Sequence, residues 1–119
     1  FFRPYHLWFL EAPISIARAF FDSETTLVPL DTPAADVAAV AKADLPAGRG
    51  LDVFGGYTFF GRMDVKKALS DAKALPVGLA PGARLKNPVK KGSIITWNDV
   101  ELDESQVIVK LRREMDGVS

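Results

Sequence analysis

His6 is the only histidine of the chain, and it stands next to Tyr5, three residues after Arg3 and five before Glu11. A group that titrates near neutrality, a fixed cation and a carboxylate so close together are the ingredients of proton transfer beside an anchored anion. On that reading His6 handles the proton and Arg3 holds a phosphate or carboxylate. The plainer alternative is that "RPYHL" packs a junction between domains, the commoner fate of a lone histidine among aromatics.

Two further clusters invite chemistry. Arg84, Lys86, Lys90 and Lys91 form a basic stretch that suits an anionic substrate or another subunit, although lysines on hairpins are commonly solvated and block edge pairing. Asp99, Glu101, Asp103 and Glu104 offer carboxylates without the spacing or the glycine of a calcium loop, so they read as a solvated acidic turn. No metal site is expected. The chain has no cysteine, which removes thiol nucleophiles, zinc thiolates and disulfides and fits a reducing compartment, so the cytoplasm is expected.

The elements that would carry these residues must fit within 119 residues, 48% of them apolar, enough for one modest core. Fifteen basic residues balance fifteen acidic ones, which leaves no net field to hold nucleic acid. No apolar run approaches the ~20 residues that span a bilayer, and Arg3, Pro4 and His6 break up the aromatic start, so no membrane attachment is expected.

Along the chain, "YHLWFLE" predicts a strand and Pro13–Phe21 a short helix with Pro13 in its first turn. Residues 22 to 33 read as a connector, giving an arm and linker over 1–34 and a domain over 35–119. "AAVAKA" is helical by propensity but is assigned to a strand by its place in an internal repeat. "GGYTFFG", Gly55 to Gly61, predicts a strand between glycines, and "MDVKKALSDAKAL" a helix capped by Asp64 and stopped by Pro76. The Val107, Val109, Leu111 alternation predicts a final strand, with a loose end from Met115.

The repeat is the strongest pattern. At a spacing of 44 residues, Lys42 aligns with Lys86, Leu45 with Val89, Gly48 with Gly92 and Leu51 with Ile95; a partial third copy, "LAPGARL", contains Gly82. A glycine between apolar anchors marks a reversal that needs positive φ. Gly48, Gly82 and Gly92 are therefore the expected structural turns of a mainly β fold with two short helices.

Those half-motifs, "AKADLPAGRGLD" and "LKNPVKKGSIITWNDVEL", resemble the SAF domain, a β-clip module also found as the antifreeze-like domain of sialic acid synthases, in flagellar P-ring chaperones and in altronate dehydratases. With "RPYHL", "EAPISIARA" and "GGYTFFG", the chain is similar to the C-terminal part of homoserine dehydrogenase-like NAD(P)-dependent oxidoreductases, one branch of which resembles 1-deoxyxylulose 5-phosphate reductoisomerase. The resemblance implies a β-clip core and an accessory role in domain docking, assembly or shaping of a substrate pocket. It places the NAD or NADP site and most catalytic residues in an upstream domain of the same polypeptide, leaving Arg3 and His6 as the catalytic candidates of this stretch in the intact protein. Gly48, Gly50, Gly55 and Gly56 lack the spacing of a dinucleotide-binding loop, so no cofactor is expected on the chain itself.

The lack of an initiator Met and the five Phe among the first 21 residues fit a C-terminal piece of a longer protein. Phe1, Phe2, Trp8, Phe9, Phe20 and Phe21 then serve either to dock on the catalytic domain or a second subunit, with a homodimer expected, or to fold back on the SAF domain. The competing class is a freestanding β-clip module that grips a sugar acid or a peptide.

Overall fold

The computed structural model describes residues 8–25, 27–28 and 33–117, which fall into two compact units divided between residues 32 and 33. In the first unit, α1 (Trp8–Ala17) runs on into one wider π-type turn, Arg18–Asp22, and Ser23 ends it at φ 53°. The expected strand is thus a helix from Trp8 onward, with Pro13 in its interior and Tyr5 to Leu7 outside the described residues. Leu10, Glu11 and Ala12 are strong helix formers, and their summed preference outweighs the β tendency of Trp8 and Phe9. Pro13 costs this helix one backbone donor rather than opening it.

The second unit is a small β-rich domain with short helices. β1 (Ala35–Ala41) pairs antiparallel with β2 (Phe59–Val65), in register from Ala35 opposite Val65 to Ala41 opposite Phe59. Its alanines form a strand because they are covered on both faces: Ala38 to Ala41, Val40 included, are all buried. The free edge of β1 is satisfied as well. The Ala39 amide donates to the Leu75 carbonyl, Leu75 to Ile95, and Ile95 back to Ala39, at 2.9, 2.8 and 2.9 Å, a closed triangle of three residues with no exposed surface.

The two repeat copies pair with each other. From Ala39 beside Ile95 to Leu51 beside Ala83, one segment runs antiparallel to the other without a slip in register. Leu45 and Val89, equivalent positions of the repeat, exchange both backbone hydrogen bonds, 2.8 and 2.9 Å, so a local two-fold axis passes between them. Bonds match across this axis: Gly48 N–H to Leu85 matches Gly92 N–H to Ala41, and Leu51 N–H to Ala83 matches Ile95 N–H to Ala39. Gly48 and Gly92 stand at φ 78° and 79°, third in four-residue turns closed by Arg49 N–H to Pro46 and Ser93 N–H to Lys90, the pattern of a type II turn. Gly82, at φ 77° after Pro81, makes a third such turn, and Gly55, at 80°, a fourth that the repeat did not flag.

Other expectations are corrected. Gly55 to Thr58 form a turn rather than a strand, because the Asp52 carboxylate accepts from the Tyr57 amide (2.5 Å) and from the amide and hydroxyl of Thr58; β2 starts only at Phe59. Asp64 lies within β2 and accepts from the neighbouring Val65 amide, so it does not cap a helix. α2 (Lys66–Asp71) begins after it and ends well short of Pro76, since residues 74 to 76 are drawn into extended pairing with Thr96, Ile95 and Ala38. β3 (Arg84–Leu85) and β4 (Val100–Glu101) make a second antiparallel pair.

The final strand is also a helix, α3 (Val107–Asp116), closed by Gly117 at φ 65°. Only Val109 of the apparent alternation is buried; Val107 and Leu111 are exposed. Val109, Arg112 and Asp116 share one helical face, and this face holds α3 to the domain; Met115 and Asp116 lie in its last turn. The described residues therefore hold three α-helices rather than two. Among them no helix is long and apolar enough to cross a membrane.

Candidate functional site

The core sets the frame of the site. Phe59, Leu75, Leu85, Ile95, Val40 and Val109 are fully buried, each contributing about 1.5–3 kcal/mol by leaving water. Leu69 and Ala74 join Ala38 in a smaller cluster, and above it a cleft of about 530 Å³ opens between α2, the short turn Trp97–Asp99 and α3. That volume is in the range of small-molecule sites.

One wall of the cleft is a closed ring of charges. Asp36 of β1 accepts from Arg112 and from Lys66 (3.2 Å), and Asp116 accepts from Lys66 (2.6 Å) and Arg112 (2.8 Å). All four side chains are 12–19% exposed, so the pairing is shielded from solvent and from salt. Burial alone would push the Asp36 carboxyl up, but the hydrogen bonds from Arg112, the Val37 amide and Lys66 together hold it below its ordinary value. Arg112 is likewise raised, its two carboxylate partners outweighing burial. Two cations and two anions cancel here.

The rest of the lining is not neutral. Lys73 and Lys86 line the cleft, and neither makes an ion pair among the described residues. Arg113 is shared: its guanidinium lies 4.9 Å from the Trp97 ring centroid and pairs with Glu104 at 2.6 Å. Ser70 and Asn98 add neutral polar groups.

Lys73 reaches this place at a cost. α2 ends in a Schellman arrangement, with Ala74 N–H bonded to Leu69 and Lys73 N–H to Ser70, and with Leu69 and Ala74 in one buried cluster. The residue at its left-handed position is normally glycine; here Lys73 takes φ 51°.

The sequence-derived candidates are placed as follows. Arg3, Tyr5 and His6 lie outside the described residues, as do Phe1 and Phe2, while Glu11 is exposed on α1. Trp8, Phe9, Phe20 and Phe21 are 56–78% exposed and meet edge-to-face in two pairs, Trp8 with Phe9 and Phe20 with Phe21. The basic stretch is divided: Lys86 enters the cleft, Arg84 is exposed on β3, and Lys90 pairs with Asp44 at 3.5 Å while Asp44 also accepts from the Lys91 amide. The acidic residues are spent locally. Asp99 and Thr96 close a capping box, Asp103 accepts from Ser105, and Glu104 holds Arg113. Among the described residues, no three carboxylate or histidine groups converge as a metal would require.

Gly48, Gly50, Gly55 and Gly56 lie in turns and bridges between extended segments, and the next helix, α2, begins only at Lys66. No known protein-family model and no curated protein matches the sequence. The cleft residues Lys73, Trp97 and Arg113 escaped sequence reasoning; the i, i+4 pair Arg112 and Asp116 was the one local signal that pointed to a helix there.

Proposed function

We propose that this chain is the C-terminal accessory SAF domain of an NAD(P)-dependent homoserine dehydrogenase-like oxidoreductase, in the branch similar to 1-deoxyxylulose 5-phosphate reductoisomerase. Its β-rich unit is a β-clip, and it serves docking, assembly or shaping of the substrate pocket. The observation that supports this reading is the symmetric pairing of the two half-motifs that carry the resemblance, around Leu45 and Val89. An upstream domain of the same polypeptide holds NAD or NADP, Arg3 and His6 face its substrate, and the exposed aromatics of α1 supply a docking or homodimer surface. The assembly works in the cytoplasm, without nucleic acid or membrane.

Calorimetry with NADPH and an antiserum against residues 33–117 test this. No heat of binding to the isolated chain, and a polypeptide in the source cells much larger than 13.0 kDa, are expected. Micromolar NADPH binding by the chain, or a native polypeptide of its own size, overturns the proposal. A second reading, a freestanding β-clip module for a sugar acid or peptide, is favoured by one observation, the cationic cleft.

A further inference from the structure

We propose that the cleft between α2, Trp97 and α3 binds a small hydroxylated anion, a sugar acid or sugar phosphate, through Lys73 and Lys86. This deepens the reading of the domain as a binding module by naming its site and ligand class, and it does not require an upstream catalytic domain.

The ring of Asp36, Lys66, Asp116 and Arg112 is internally balanced and pins the wall in place, so the field inside the cleft comes from the cations left over. Two lysines without an ion pair among the described residues, Lys86 partly offset by the nearby Asp99 carboxylate, line one concave surface of about 530 Å³ and attract an anion of matching size. A phosphate or carboxylate there would gain charge-assisted hydrogen bonds that neither lysine finds within the described residues.

Lys73 supplies the independent observation. At the left-handed position that ends α2, glycine would relieve the backbone, yet a lysine stands there and lines the cleft. Strain of this kind gathers at binding sites, where the side chain's use outweighs its conformational cost. The hydroxylated body of the ligand follows from the remaining lining: Ser70 and Asn98 offer neutral hydrogen bonds, and Trp97 an apolar surface against which sugar C–H groups pack. A purely apolar acid would leave the neutral polar groups unused.

Trp8→Phe leaves Trp97 as the sole tryptophan, so its emission reports on the cleft. The chain carrying this change is titrated with 6-phosphogluconate, gluconate, inorganic phosphate and glucose. A saturable change with 6-phosphogluconate is expected, and the gluconate and phosphate arms tell whether the carboxylate or the phosphate is the anchor. Lys73→Gly and Lys86→Gln should each weaken binding roughly tenfold, the worth of one charge-assisted contact. Lys73→Gly must do so while melting at or above the parent temperature, because its turn accepts glycine. Lys90→Gln with Lys91→Gln, away from the cleft, should leave affinity unchanged.

No response to any anion up to about 10 mM, an equal response to glucose, or full affinity in Lys86→Gln overturns the proposal. So does a loss in the Lys90 and Lys91 variant as large as that in Lys86→Gln. None of these outcomes bears on NADPH binding or on the native chain length, so failure here and failure of the oxidoreductase reading are distinguishable.

Discussion

At Gly48 and Gly92 an added Cβ meets no atom within 4 Å, so a substitution there is penalised by backbone conformation alone. Valine at either position should cost on the order of 1–3 kcal/mol, and because the two are related by the local axis, their costs should agree. Urea melts of Gly48→Val and Gly92→Val check this, with Lys90→Ala as the reference; its pair with Asp44 is exposed and should matter by less than about 0.5 kcal/mol. Unequal losses at the two glycines would show that the symmetry of the hydrogen bonds is not a symmetry of energies. Lys73→Gly works in the opposite direction. Removing a left-handed lysine recovers about 1 kcal/mol of strain, partly offset by the greater freedom of glycine in the unfolded chain, and a net gain is the expected result. The turn glycines could be read from the sequence because their residue type states their conformation. Lys73 could not, since nothing about a lysine in "SDAKAL" says that the helix has ended two residues earlier.

The elements most easily misread were those whose partners are remote. Val107, Val109 and Leu111 alternate like a strand, but α3 is decided by Arg112 and Asp116, whose partners Asp36 and Lys66 lie in other elements. Its attachment should be acid-sensitive. Asp36 ionises below its ordinary 3.8 in the folded chain, so the unfolded state takes up the proton first. The contribution is complete above that ordinary value and is lost as pH falls through it toward the lower folded value. Asp36→Asn should flatten the acid side of the stability profile between about pH 5 and 2; thermal melts across that range that parallel the parent would mean the ring does not hold α3. The arm carries a separate prediction. Trp8, Phe9, Phe20 and Phe21 leave large rings in water, at about 1.5–3 kcal/mol each relative to burial, and a symmetric dimer is the simplest way to cover them. Sedimentation equilibrium should find a concentration-dependent dimer that becomes monomeric when residues 1–21 are deleted; a monomer at high micromolar concentration would remove the interface role of these side chains.

Across the whole molecule, what the sequence disclosed is what repeats. The 44-residue register placed β1 correctly against the helix preference of its alanines, because Ala41 and Leu85 must do the same thing at equivalent places. The cleft has no such signature: Asp36, Lys66, Lys73, Trp97 and Arg112 come from four separate segments, and only the closed fold makes them neighbours. The triangle of Ala39, Leu75 and Ile95 unites equally distant segments, and its consequence is one of time rather than of shape. Each of its residues donates to one of the other two stretches and accepts from the other, so a segment that leaves breaks two of the three bonds at once. In deuterated water these three amides should exchange last and at a common rate set by global unfolding, long after those of α1. One of the three exchanging far ahead of the others would mean that the domain opens by sections, whereas a shared rate makes this triangle the point from which its cooperativity is measured.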